Sequence, residues 1–193
     1  MNAGFLKRLL AYLIDIVIVS LIVSIVTMGI SSTKTENLQK QLAEVQNNYI
    51  SGELSMDDYV DSSTSLMYEM EKSSAVSTTI NIVIMIGYFI IFQYLNKGQT
   101  LGKKLLKIKI TEKGKEPKLI TVIIRSLLID GILINLIGVL LVISLNDYAY
   151  VMVYGIFSML YMLFILISLT MMLFRNDKVA LHDIITRSNV VEV

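Results

Sequence analysis

Two carboxylates and two arginines lie within or at the ends of strongly apolar stretches of the sequence, where an ionisable group is costly. Asp15 lies in the first apolar stretch, and Asp130 lies in the third, five residues after Arg125. Arg8 precedes Asp15 by seven residues, which is two turns or about 10 Å along a helix. Arg8, Tyr12 and Asp15 therefore share one helix face and form a polar stripe.

These side chains admit two interpretations. A carboxylate within the membrane can alternate between a protonated state and a cation-facing state as its surroundings change, so Asp15 first, and Asp130 second, would titrate in a pathway for protons or cations. The polar groups would otherwise act as hydrogen-bonded contacts between helices. Other apolar segments contribute further polar side chains that suit either interpretation: Asn81, Tyr88, Asn135, Tyr150, Tyr154, Ser158 and Tyr161.

Arg125 also leaves two alternatives open. It lies about two turns into its apolar segment, so its long side chain can extend to the cytoplasmic surface. A position within a functional polar core is the other alternative. The five-residue spacing turns Asp130 away from Arg125, so we expect Asp130 to find a partner on another element.

The composition excludes most familiar enzyme chemistry. The 193 residues include no cysteine, one histidine and one proline, so a multi-histidine metal site, a thiolate cluster and a cysteine nucleophile lack the necessary residues. The segment 98–104, GQTLGKK, has three residues between its glycines and ends in Lys, unlike a phosphate-binding loop. The lysines lack the interleaved aromatic residues of a nucleic-acid surface. We expect no enzyme activity, no cofactor, no metal site and no nucleic-acid partner.

Four apolar stretches are long enough to cross a bilayer as helices, which takes about 20 residues. They cover residues 9–30, 75–95, 119–145 and 149–174. With 54% hydrophobic and 17% charged residues, the chain is more apolar than an ordinary soluble domain. The first stretch contains Asp15 and lacks a convincing cleavage site, so we interpret it as a retained helix. The sequence predicts an all-α membrane protein, a single domain with four transmembrane helices.

The distribution of lysine and arginine predicts the orientation of the chain. The outer segment 31–74 holds only three lysines, whereas the N-terminal residues, the basic inner loop 96–118 and the tail 175–193 hold thirteen lysines and arginines. We therefore expect both termini in the cytoplasm.

The two longer loops have secondary structure of their own in this interpretation. In the outer segment, Leu38, Leu42, Val45 and Tyr49 recur at helical spacing before Gly52, which predicts an extracytoplasmic helical hairpin. We interpret its acidic face as a solvated surface without a ligand. In the inner loop, residues 107–111 alternate like a strand that enters a hairpin turn at 112–115. Residues 188–193 have the same character, so a small cytoplasmic β element is expected to join the two segments.

Three ordered motifs resemble the RDD family of bacterial integral membrane proteins: FLKRLLAYLID at 5–15, GQTLGKKLLKIKI at 98–110 and LHD at 181–183. Arg125 fits the arginine that often follows the inner-loop motif. The resemblance implies that the arginine and two aspartates of the family name are Arg8, Asp15 and Asp183, and it leaves Asp130 outside the pattern. Arg8 and Asp183 are expected at the same membrane face, where their pairing would hold the tail beneath the first helix.

The resemblance implies a multi-pass protein of the bacterial inner membrane, with an undefined activity for which transport has been suggested. Our first hypothesis is exchange of monovalent cations for protons, with Arg8 and Asp183 as an inner gate or fixed counter-charge. The alternative is a non-transporting scaffold or accessory subunit that recruits a protein partner. Expected partners are the lipid bilayer, monovalent cations and protons. Because four helices form a thin bundle, a second copy or another membrane protein is also compatible.

Overall fold

The computed structural model describes residues 2–28 and 33–193. Within these ranges the chain is predominantly helical, and three helices are long and apolar enough to cross a membrane. They are α1 (Phe5–Thr27), α3 (Met56–Leu95) and α7 (Asp147–Phe174). The expected end of the first span at residue 30 and the start of the outer segment at residue 31 lie outside the described residues.

The third apolar stretch is not one continuous helix. It consists of α5 (Leu119–Ile129) and α6 (Ile132–Ser144), which are bent by 67° relative to each other, and together they make a fourth candidate span. Asp130 follows the last residue of α5, and Gly131 has a φ of +79°, a left-handed conformation that glycine adopts without steric cost. The single helix expected over 119–145 is therefore divided at Asp130 and Gly131.

The expected helical hairpin is present in the described part of the outer segment. Helix α2 (Thr33–Ile50) packs along the first half of α3, which continues into the second apolar stretch and has π-helical geometry at Ile86–Phe92. Gly52 turns the chain at a φ of +80°, and the Ser55 hydroxyl caps α3 by accepting from the Asp58 N–H at 3.2 Å. The rings of Tyr49 and Tyr59 stack at 4.5 Å and join the two helices.

A two-stranded antiparallel sheet connects the inner loop to the tail. Strand β1 (Ile108–Glu112) pairs with β2 (Ser188–Glu192), and Ile110 lies opposite Val190. The small β element is thus confirmed, but the turn at 112–115 holds a single bridge and leads to α5 without a second local strand. On the other side of β2, the Ala3 N–H donates to the Val190 carbonyl at 2.8 Å.

Two short helices flank the sheet, and together with it they form what we call the sheet end of the bundle. They are α4 (Leu101–Leu105), which packs against α1, and α8 (Leu181–Thr186), which contacts α5 and α7. The opposite end, where α2 and the first half of α3 lie, is the hairpin end. Between the two ends, the main hydrophobic core includes Val19, Ile82, Phe89 and Ile132.

Candidate functional site

Asp183 lies between two arginines at the sheet end. Its Oδ2 accepts from Arg8 Nη1 at 2.7 Å, and its Oδ1 accepts from Arg125 Nη1. The Asp183 side chain is 0% exposed, and those of Arg8 and Arg125 are 8% and 4% exposed. Burial opposes the charged carboxylate, but the charges of Arg125 and Arg8 hold the pKa of Asp183 well below its usual range. The expected contact between Arg8 and Asp183 is therefore present, and the two guanidinium groups favour the ionised form of Asp183.

Arg8 and Arg125 also connect Asp183 to residues near both termini. Arg8 also donates from Nε to the Ala3 carbonyl at 3.0 Å and from Nη2 to the Val190 carbonyl at 3.2 Å. Arg125 donates to the Ser188 hydroxyl at 3.0 Å. The extension of Arg125 to the membrane surface is thus wrong, because α8 and β2 close beneath α5 and supply buried acceptors.

His182 completes this network as a neutral imidazole. Its Nε2 lies 3.1 Å from Arg125 Nη2, and a guanidinium can only donate, so Nε2 accepts. The proton is then on Nδ1, which lies 2.6 Å from the Ser168 hydroxyl of α7. Burial, and then the charge of Arg125, lower the pKa of His182 to about 3. His182 therefore orients Arg125 without adding a charge.

Asp15 forms a separate site that holds the inner loop. The residue is 1% exposed, and its carboxylate accepts three hydrogen bonds. The donors are the hydroxyls of Tyr88 at 2.6 Å and Thr100 at 2.5 Å and the N–H of Gly102 at 2.8 Å. All three donors are neutral, so Asp15 is stabilised by hydrogen bonds and the expected polar stripe does not become an Arg8–Asp15 pair.

The GQTLG motif approaches α1 closely enough to bind the Asp15 carboxylate. A Cβ on Gly102 would collide with the Ala11 carbonyl oxygen and lie 2.9 Å from Asp15 Oδ1, so only glycine permits this approach. The Thr100 hydroxyl also accepts from the Lys103 N–H at 3.3 Å, which begins α4. One side chain thus caps a helix and anchors the loop to α1.

A cavity of about 330 Å³ lies between the Asp15 and Asp183 sites. Apolar side chains of α1, α5 and α7 form much of its wall. Its polar lining combines cations, carboxylates, an imidazole and hydroxyls: Arg8, Lys103, Arg125, Asp15, Asp130, His182, Tyr12, Tyr161 and Ser168. The arrangement can hold a small polar guest inside an otherwise apolar bundle.

Asp130 is the carboxylate of this cavity with the fewest strong partners. It is 6% exposed at the division between α5 and α6. Its polar neighbours are the Ser126 side chain and, through their charges, Lys103 and Arg125. The Ser126 hydroxyl itself donates to the Phe89 carbonyl at 2.9 Å. Asp130 thus contrasts with Asp15 and Asp183, whose oxygens are held by strong donors.

Lys103 is a member of the cavity that sequence reasoning missed. Its ammonium donates to Gln93 Oε1 at 2.6 Å, and burial lowers its pKa to about 8. In the sequence it is one of eight lysines in the inner loop, and no pattern sets it apart from those that face solvent.

The remaining sequence candidates divide between the cavity and other places. Tyr12 lines the cavity, as does Tyr161, whereas Asn81 lies partly buried on α3 and is not among the lining residues. Thr100 and Gly102 were visible as a motif, but nothing local pointed to Asp15 as their partner.

Comparisons with known proteins agree with the three motifs. No curated protein and no solved structure matches the chain significantly. The model of the RDD family, in contrast, matches residues 2–187, which include Arg8, Asp15, the inner-loop motif and Asp183. Since this match spans nearly the whole sequence, the chain belongs to the RDD family of membrane proteins.

Proposed function

We propose that the protein exchanges protons for monovalent cations through the cavity beside Asp130. The observation that carries the proposal is the position of Asp130: a buried carboxylate at the division of a membrane helix, on the wall of a polar cavity. Asp130 replaces Asp15 as the first candidate for titration. The three short hydrogen bonds to Asp15 would all have to break before a cation could take their place.

The division of the helix supports this assignment. Backbone that leaves helical geometry at membrane depth is tolerated where it lines a cavity, and divided helices form ion sites in many transporters. The last turn of α5 has carbonyl groups without helical partners, and oxygen ligands suit hard monovalent cations. The hydroxyls of Tyr12 and Tyr161 line the same cavity.

The fixed charges around the cavity have distinct roles in this mechanism. The ammonium of Lys103 acts on Asp130 and compensates its charge when no cation is bound. Arg8, Asp183 and Arg125 carry one net positive charge at the sheet end, because one carboxylate lies between two guanidinium groups. That charge is a barrier to cations and fits the inner gate expected from the sequence.

The orientation and location are part of the same proposal. The sheet end contains most of the lysines and arginines, so we place both termini in the cytoplasm and the protein in a bacterial inner membrane as a multi-pass protein. No enzymatic step, cofactor or nucleic acid enters the mechanism. A second copy is compatible with the thin bundle.

Ion-driven proton movement in proteoliposomes tests the proposal. The interior carries a pH dye, and pulses of Na⁺, K⁺ or Li⁺ are added to the parent protein, to Asp130→Asn and to the exposed control Asp57→Asn. We expect a cation-dependent signal that Asp130→Asn abolishes while it still elutes as a folded protein, and that Asp57→Asn preserves. Parent-like transport by Asp130→Asn would remove the central residue of the mechanism.

A non-transporting scaffold is the second candidate, and one observation favours it. Asp15 and Asp183 both accept hydrogen bonds from residues that are distant in the sequence. Such contacts are expected for polar groups that stabilise the fold. In that case the hairpin or the basic loop would recruit a protein partner. A flat trace from folded parent protein, together with retention of a partner that requires residues 33–74, would support the scaffold over the transporter.

A further inference from the structure

A second cavity, which we call the outer cavity, lies nearer the hairpin end, between α3, α6 and α7. Its volume is about 180 Å³, and its lining includes Glu71, Thr78, Asn135 and Tyr154. Glu71 is exposed, whereas Thr78, Asn135 and Tyr154 are partly buried. The cavity thus has a carboxylate at a solvent-accessible position and neutral polar groups deeper in the bundle.

The lining offers the ligands that a small hard cation prefers. Carboxylate, hydroxyl and amide oxygens are all present, and none of the described residues that line this cavity is basic. The adjacent Lys72 directs its ammonium over the ring of Tyr68, at 5.4 Å from the centroid. Glu71 therefore contributes the one carboxylate to a lining in which no described residue is basic.

Tyr150, whose ring stacks on Tyr154 of the cavity lining, has a buried hydroxyl without a hydrogen-bond partner among the described residues. Tyr150 is 2% exposed, and among the described residues its hydroxyl has no hydrogen-bond partner. Its ring stacks on Tyr154, with centroids 5.4 Å apart, and its hydroxyl is within the electrostatic influence of Glu71. An unsatisfied buried hydroxyl destabilises the fold, and a hydrogen bond to a bound guest or a water would relieve that cost.

The two cavities share one element, α7. Tyr154 lines the outer cavity and Tyr161 lines the one beside Asp130, and seven residues place them on one face of α7, about 10 Å apart. The N–H of Asn135 donates to the Gly131 carbonyl at 3.2 Å, so Asn135 lies one turn from the helix division. The first turn of α6 is the element between the cavities.

We propose that the outer cavity is the entry site of the transported cation, with Glu71 as its carboxylate ligand. A monovalent cation binds Glu71 first, then the oxygens of Asn135 and Tyr154, and passes the first turn of α6 to reach Asp130. This inference rests on the proposed exchange function and adds a site whose carboxylate, Glu71, lies in the outer segment, where the three family motifs have no residue. Gly138 contributes to the site because a Cβ there would lie 3.0 Å from the Tyr154 ring and displace it.

Accessibility is the first test, and the chain suits it because it has no cysteine. Single variants Asn135→Cys and Thr78→Cys are exposed to a membrane-impermeant methanethiosulfonate reagent from either side of oriented vesicles. We expect both to react from the hairpin side alone, as Ser51→Cys in the exposed hairpin turn should. Thr79→Cys, on the exposed face of α3 that would contact lipid, should stay unmodified. Failure of both cavity variants to react from the hairpin side would overturn the entry site, whether or not the protein transports.

Transport kinetics are the second test. In the pH-dye assay with oriented proteoliposomes, Glu71→Gln should raise the half-saturating cation concentration at least tenfold for cations added at the hairpin side. The value at the sheet side and the maximal rate should stay unchanged. Glu53→Gln is the matched control, since it makes the same substitution at an exposed position in the hairpin turn.

The outcomes separate this inference from the function on which it rests. If the parent transports and Glu71→Gln behaves like Glu53→Gln, the entry site is wrong and the role of Asp130 stands. If the folded parent shows no cation-dependent signal, both proposals fail together. If Glu71→Gln raises the half-saturating cation concentration at the hairpin side alone, both the entry site and the exchange function are supported.

Discussion

Replacing Asp183 by asparagine removes one negative charge from between two buried arginines and leaves the side-chain shape nearly unchanged. The amide oxygen can still accept from Arg8 or from the Ala180 N–H, which donates to Asp183 Oδ2 at 3.1 Å. The charges of Arg8 and Arg125 then face each other without a counter-ion, at 8% and 4% side-chain exposure. Loss of one partner from a buried ion pair costs about 3–5 kcal/mol of unfolding free energy.

This decrease in unfolding free energy corresponds to a decrease in Tm that is large enough to measure in detergent. For a chain of this size, 1 kcal/mol lowers Tm by about 2–4 °C, so Asp183→Asn should melt roughly 6–20 °C below the parent. The assay is the fraction of protein that still elutes as a monodisperse peak after heating. Asp177→Asn is the matched control, because Asp177 lies in the same tail and pairs with Arg175 at an exposed position. We expect that control to melt with the parent.

A double-mutant cycle identifies the cause of the loss. If charge imbalance is responsible, Asp183→Asn combined with Arg125→Gln should cost less than the two single changes added together, because the pair is removed as a unit. Asp183→Asn that melts within about 2 °C of Asp177→Asn would refute the reasoning, since the network would then contribute no stability.

Three further predictions concern the same end of the bundle. Gly102→Ala should sharply reduce the yield of monodisperse protein, because its Cβ would meet the Ala11 carbonyl oxygen. Thr100→Val should cost about 1.5–3 kcal/mol, measured by thermal shift, because it removes one donor from a buried carboxylate. Acidification from pH 7 to 5 should destabilise the parent more than His182→Gln. The His182 pKa is about 3 in the fold and about 6.5 when unfolded. The contribution of His182 to the free energy of unfolding is therefore at its maximum above pH 6.5 and is lower by about 2 kcal/mol at pH 5.

Each of these predictions has a contrasting outcome. Gly155→Ala, where a Cβ meets nothing within 4 Å, should leave the yield unchanged, and equal yields for the two alanine variants would contradict the close approach. Thr79→Val on the exposed face of α3 should leave Tm unchanged, and a matching loss there would remove the special role of Thr100. Since His182 is the single histidine, parallel pH profiles for parent and His182→Gln would show that its titration does not affect stability.

Features that depend on local pattern could be predicted from the sequence. The alternation in residues 107–111 predicted β1, and the helical spacing from Leu38 to Tyr49 predicted α2, because each pattern records which side of a local element is buried. The contact of Arg8 with Asp183 followed from a different argument, since both residues had to lie at one membrane face.

Features that depend on contacts between distant segments could not be predicted in this way. Asp15 and Thr100 are 85 residues apart, and each belongs to a recognisable sequence motif. Nothing in either segment indicates that the Thr100 hydroxyl donates a hydrogen bond to Asp15. For Arg125 the sequence left two alternatives open, extension to the surface and a position in a polar core, because the position of α8 beneath it depends on the folded tail. The division at Gly131 did have a local signal, a glycine after the last helical turn, which the surrounding apolar run obscured.

The Arg8–Asp183 contact joins residues 175 positions apart, and this separation has a consequence for the order of events during synthesis. Helix α1 leaves the ribosome before any of its polar partners exist: Asp15 waits for Thr100 and Gly102, and Arg8 waits for Asp183. Until Asp183 emerges, the two arginines that it pairs, Arg8 and Arg125, must remain hydrated or lipid-bound in an unfinished bundle. Closure of the sheet end by α8 and β2 is therefore the final step of assembly.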